Sequence, residues 1–172
     1  MSKQKFFILG NCRSRTYWLS KFLATPGAKV GHDASCEFKN LDDLLSSDYD
    51  GFCDTALGVH WRDLPGKVIV IDRCYKESIK SLNKIGLGET WLTKRVSSAL
   101  ELAKEVYPSI QYNRLSNEAT CKRLFEYLTG QPFNVERWKE LSSTNLTAPI
   151  EAYRDRFTKH EANFEPLYGS FR

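Results

Sequence analysis

No apolar run in the chain's 172 residues reaches the roughly 18 that a membrane helix needs, so no membrane span is expected. The opening residues also lack a signal-peptide pattern: Phe6-Phe7-Ile8-Leu9 is a strand-length run that ends in Gly10, and a cytoplasmic protein is expected. The five cysteines (Cys12, Cys36, Cys53, Cys74 and Cys121) are odd in number, scattered, and never spaced as Cys-x-x-Cys. That arithmetic fits neither a disulfide framework nor a zinc site, and no metal is expected. Charge of one sign is scarce too. The 25 Lys+Arg against 21 Asp+Glu leave only +4, whereas nucleic-acid binders concentrate basic residues in a stripe, so no nucleic-acid partner is expected. Internal repeats and low-complexity linkers are missing.

What remains is ordinary globular material: 41% apolar, 27% charged, with 10 Gly and 6 Pro. The length suits one domain over residues 1–172, with a core over about 5–145 and a C-terminal helix and tail over 146–172. Lys5–Leu9 reads as a buried strand, Gly10–Arg15 as a polar turn, and Thr16–Ala24 as a helix with Trp18, Leu19, Phe22 and Leu23 at helical spacing. Pro26-Gly27 stops it. A short helix over Asn40–Leu45, with Asn40 as N-cap, precedes a weak strand pattern over Gly51–Leu57. Lys67–Asp72 is the clearest strand; a helix over about Lys76–Ile85 follows, then an amphipathic one over Trp91–Val106. Ser109–Tyr112 reads as the last strand. Helices are expected over Asn117–Leu128, ended by Gly130, over about Val135–Leu141 and over Ala148–Thr158, with a loosely held tail from Phe157 onward. Strands alternating with helices predict a three-layer, P-loop-like α/β domain: a mostly parallel central sheet with helices on both faces.

In such a sheet, ligands bind beyond the C-terminal ends of the strands. The first clear exit, Gly10-Asn11-Cys12-Arg13-Ser14-Arg15-Thr16, sets backbone N–H groups and two guanidinium groups at a helix N-terminus, a favourable place for an anion. Taken alone it is also compatible with a plain polar turn. It is not a Walker A loop, because the Gly-Lys pair and that loop's length are missing, which disfavours a nucleotide kinase. At the second exit Arg73 follows a buried strand, and Ser78 and Ser81 lie one turn apart on the next helix. Arginine and hydroxyls together make an oxyanion clamp; apart, they are a solvated Arg and two surface serines.

Three stretches taken in order resemble the sulfotransferases that use 3′-phosphoadenosine-5′-phosphosulfate (PAPS). Arg13-Ser14-Arg15-Thr16-Tyr17-Trp18-Leu19 is similar to their 5′-phosphosulfate loop, [RK]-S-G-T-[TS]-W-[LF]. Val68-Ile69-Val70-Ile71-Asp72-Arg73, with Ser81 eight residues after the arginine, resembles their 3′-phosphate motif. Ile110-Gln111-Tyr112-Asn113-Arg114-Leu115, then Leu124–Gly130 and Pro132-Phe133-Asn134, resembles a third family stretch. The resemblance implies sulfuryl transfer from PAPS to a hydroxyl or amine of a small-molecule or carbohydrate acceptor, leaving 3′-phosphoadenosine 5′-phosphate. It implies that Arg13, Ser14, Arg15, Thr16 and Tyr17 cradle the phosphosulfate, that Arg73 and Ser81 hold the 3′-phosphate, and that Tyr112 lies near adenine. Trp18 would stack on adenine, with core packing as the other reading. Arg13 would offset charge on the bridging oxygen. His60, in His60-Trp61-Arg62-Asp63-Leu64-Pro65, is the first candidate for general base and His32, beside Asp33, the second. Arg15 stands where the family has glycine, and no Arg-Lys-Gly segment follows. A sulfotransferase-like protein that only binds a nucleotide or anion is the alternative.

Overall fold

A computed structural model describes residues 4–162. At its centre lies β1 (Phe6–Gly10), all five residues of which are buried. A run with no polar alternation can be covered on both sides only inside a parallel sheet, and that is where it sits. The sheet is wholly parallel, in the order β2 (Val30–His32), β3 (Gly51–Asp54), β1, β4 (Lys67–Asp72), β5 (Ser109–Gln111). In register, Phe7 lies between Phe52 and Val68, and Gly10 is level with Ile71.

Alternation along these strands divides the core in two. Phe7, Leu9, Phe52, Val68 and Val70 face one way, onto Leu92, Val96, Leu100 and Ala103 of α4 (Trp91–Ala103) and onto a 3₁₀ turn at Ala56–His60. Phe6, Ile8, Cys53, Ile69 and Ile71 face the other way, onto α1 (Thr16–Leu23) and α5 (Glu118–Thr129). The fold is therefore the three-layer α/β arrangement expected. Gly51 is required by packing: a Cβ there would lie 2.2 Å from the Phe6 ring.

Asparagines start three of the helices. Asn40 accepts from Asp43 N at 2.9 Å, Asn117 from Thr120 N at 3.0 Å and Asn134 from Arg137 N at 3.0 Å, capping α2 (Leu41–Ser46), α5 and α6 (Val135–Ser143). Gly130, at φ 66°, ends α5. α3 (Tyr75–Asn83) follows β4 after two residues.

Four expectations need correction. β2 had no counterpart in the sequence reading; it is a three-residue edge strand defined by its pairing with β3. The weak Gly51–Leu57 pattern divides into β3 and the 3₁₀ turn. The apolar face of α4 ends at Ala103, and Val106 is 62% exposed. The segment from Phe157 is not loosely held as far as it is described: α7 (Ile150–Ala162) buries Tyr153, Phe157 and His160, the first two packing on Cys12 and Leu82. The expected tail beyond 162 lies outside the described residues.

From β1 the chain runs through α1 toward β2 and β3, then crosses beneath α4 to β4 on the other side. The exits of β1 and β4 thus diverge at the sheet's switch point, where a crevice opens.

Candidate anion-binding site

The two exits are bound to each other before any ligand is considered. Asn11 Nδ2 donates to the Arg73 carbonyl at 3.1 Å, and the Arg73 guanidinium donates to the Arg13 carbonyl. Within the first loop Ser14 N closes a turn on Asn11 O at 3.1 Å. Arg13 (φ 65°) and Arg15 (φ 62°) are left-handed, with Ser14 at negative φ between them. Alternation of this kind turns successive N–H groups to one concave side, the geometry of an anion nest. A non-glycine residue pays of order 1 kcal/mol for that conformation. Contacts hold both arginines in place: Arg13 Nε donates to Ser81 Oγ at 3.3 Å and its guanidinium lies over Tyr153, while Arg15 Nη1 reaches Leu115 O at 3.4 Å and covers Trp18.

Between the exits is a cavity of about 130 Å³. Arg13, Arg15 and Arg73 line it, with the hydroxyl residues Thr16 and Ser81 and the rings of Tyr17, Tyr112 and Tyr153; no Asp or Glu among the described residues does. Arg73 also lies 4.3 Å over the Tyr112 ring. A wider groove of about 530 Å³ shares Arg73 and Tyr112 with the cavity and is bordered by Asp72, Cys74 and Glu77. Three fixed positive charges facing one small space with no carboxylate give a strong local preference for an anion.

Eight residues predicted from the sequence, Arg13, Arg15, Thr16, Tyr17, Trp18, Arg73, Ser81 and Tyr112, line this one cavity. Ser14 is fully buried beneath the loop, and its Oγ has no hydrogen-bond partner among the described residues. Ser14 is not among the residues that line the cavity, unlike its neighbours Arg13, Arg15 and Thr16. Trp18 borders the cavity but is 2% exposed, stacked on Phe22, with Nε1 donating to Leu141 O at 3.0 Å. It is built into the core under α6, and a face for adenine must come from elsewhere. His60 is not brought to the cavity. The turn that carries it packs beneath α4, its Nδ1 lies 3.9 Å from Asp63, and burial lowers its pKa.

His32, at the end of β2, does border the cavity. Its Nε2 lies 3.2 Å from Thr16 Oγ1 and 3.1 Å from Asp33 Oδ2, and its Nδ1 lies 3.4 Å from Arg156 Nη1. Burial lowers its pKa against the pull of Asp33. Cys12 is no nucleophile: burial pushes its thiol up to about 12, and it is paired with Tyr153.

The sequence reading missed one wall. Leu146, Thr147, Ala148 and Tyr153 close the cavity from the C-terminal segment, and Arg156 reaches His32 from the same helix. The signal was present, since Tyr153, Phe157 and His160 have the i, i+4, i+7 spacing of a buried helical face. Deeper in, Asp33, Asp54 and His160 bring three ligand-type atoms within 4.8 Å of one another. Both carboxylates already accept backbone N–H groups, Asp33 from Thr55 and Asp54 from Ser35 and Leu57, so they serve the strand-end turns.

Comparison with family models, with curated proteins and with solved structures returns no match to this chain. No helix among the described residues is long and apolar enough to cross a membrane.

Proposed function

We propose that this cleft binds PAPS and that the protein transfers its sulfuryl group to the hydroxyl or amine of a small-molecule or carbohydrate acceptor. The single observation that carries the reading is the cavity with Arg13, Arg15 and Arg73 on its walls and no described carboxylate among them, over a left-handed loop at the start of α1. A phosphosulfate would lie on the loop N–H groups, with the 3′-phosphate between Arg73 and Ser81 and the nucleoside extending past Tyr112 into the wider groove. In the reaction the acceptor oxygen or nitrogen forms a bond to sulfur as the bond from sulfur to the bridging oxygen breaks. The electron pair stays on that oxygen, where Arg13 offsets the charge, and the acceptor's proton passes to a base. His32 is the bordering histidine, but both of its nitrogens face protein partners, so in this reading it orients its neighbours rather than taking the proton.

One observation favours the non-catalytic alternative: Leu146, Thr147, Ala148 and Tyr153 of the C-terminal segment also line the small cavity, leaving less room beside a cofactor for an acceptor. Titration calorimetry with adenosine 3′,5′-bisphosphate, against ADP and Mg-ATP, separates the cases. Micromolar binding that is lost without the 3′-phosphate supports the cofactor reading. Tight Mg-ATP binding in its place would overturn it. Binding of the bisphosphate with no label transferred from radioactive PAPS to any of a panel of phenols, sugars and amines would leave the binding-only protein.

A further inference from the structure

Arg156 lies outside the cavity lining, yet it fixes what the cavity offers. Its guanidinium donates to the His32 carbonyl and meets His32 Nδ1 at 3.4 Å. A guanidinium has hydrogens to give and no lone pair to accept with, so Nδ1 must present its lone pair there. On the other edge of the ring, Nε2 faces the Asp33 carboxylate at 3.1 Å and the Thr16 hydroxyl at 3.2 Å. A carboxylate favours a proton on the nitrogen beside it. Both neighbours thus select the same neutral tautomer, with hydrogen on Nε2 and none on Nδ1. The ring is nine-tenths buried, and burial disfavours a second, charging proton.

The consequence falls on Thr16, the first residue of α1 and a wall of the cavity. With a hydrogen on Nε2, whether it points to Asp33 or to Thr16, the ring nitrogen has no lone pair to accept the Thr16 hydroxyl, whose own hydrogen is then free to turn toward an anion. With the opposite tautomer the bare Nε2 would draw the hydroxyl hydrogen to itself, and Thr16 would present lone pairs to a negatively charged ligand. We infer that Arg156 and His32 are positioning residues that set Thr16 as a hydrogen-bond donor to the anion bound on the β1 loop. This rests on reading the cavity as an anion site.

Two readouts test it. Ring ¹⁵N shifts of His32 in the full chain at pH 7.5 should report a protonated Nε2 and a bare Nδ1, with the preference weakened in Arg156→Met. A protonated Nδ1 in the native protein overturns the inference whatever the cofactor. Affinity for adenosine 3′,5′-bisphosphate gives the second readout. Thr16→Val and Arg156→Met should each weaken it about tenfold, the worth of one hydrogen bond to a charged group, and the double variant no further. His32→Gln, which keeps an N–H donor near the Nε2 position, should bind within threefold of native, while His32→Leu loses about tenfold. Additive losses in the double variant, or a His32→Gln as weak as His32→Leu, would show that these residues only support the fold. Native protein that binds no bisphosphate, with the ring tautomer as stated, would remove the cofactor reading; the assignment of Thr16 as donor then falls if inorganic sulfate binds Thr16→Val as well as native.

Discussion

The loop after β1 and the helix that closes over it build the same cavity by opposite means. The loop is contiguous: within seven residues it has an exit from a buried strand, two left-handed arginines and a helix start. The closing segment lies more than 120 residues further on and contributes through packing, with Tyr153 and Phe157 set on Cys12 and Leu82 while Arg154 reaches the Ile85 carbonyl. Local chain order encodes the first. Only the folded arrangement creates the second.

The sharpest test of that contrast removes one large side chain from the strand that feeds the loop and one from the closing helix. Phe7→Ala cuts the centre of the sheet and should cost about 3–5 kcal/mol of global stability, read from a urea midpoint. Phe157→Ala should lose less in that measurement. It should instead raise amide exchange across 150–162 selectively, and equal exchange throughout the chain would mean that α7 is part of one cooperative unit. Next in size, Arg73→Ala should weaken the bisphosphate by about 1.5–3 kcal/mol, and an analogue lacking the 3′-phosphate far less. Equal weakening would mean that Arg73 acts through its bond to the Arg13 carbonyl rather than on the ligand.

Acid should weaken the fold at two further places, because burial lowers the pKa of His32 at the cavity and of His60 under α4. Around His32, Asp33 and Asp54 favour the charged ring and Arg156 and Lys21 oppose it. As pH falls through about 6.5 the unfolded chain takes up protons before the folded one does, so stability should drop, by at most about 1.4 kcal/mol per pH unit for each histidine, until the folded pKa is passed. Urea midpoints at pH 7.5 and 5.5 give the slope, and His32→Gln should reduce it. An unchanged slope would assign the effect to His60. The smallest expected effect is Arg15→Gly. Relief of the left-handed residue should raise stability by about 1 kcal/mol while bisphosphate binding weakens, a sign difference that separates conformational cost from charge.

Much of the fold was legible for a physical reason. Val68-Ile69-Val70-Ile71 can only be an inner strand, and β4 has the bounds read from the sequence, Lys67–Asp72. Asn40 caps its helix as its position before an apolar-periodic stretch implies. β2 was illegible because three residues carry no period; pairing with β3 makes them a strand. The eight cavity residues read from the sequence sit in the loops and helices that directly follow β1, β4 and β5, where the chain order is also the spatial order. The histidines depend on more distant packing. His60 lies in a turn whose layer depends on which face the crossing to β4 uses, and His32 ends the strand that could not be seen. Trp18 had two readings because an apolar ring at a helix start satisfies either, and burial decides for the core.

A last consequence follows from the three arginines that line the cleft with no described acid among the lining residues. Their mutual repulsion opposes the compact state, and any sulfate or phosphate that settles among them relieves it. By mass action, an anion at a hundred times its dissociation constant adds about 2.7 kcal/mol to folding. If the proposed anion site is occupied, the melting temperature should depend on the dissolved salt, and preparations in sulfate and in chloride should melt at different temperatures; equal melting would remove the anion from the cleft.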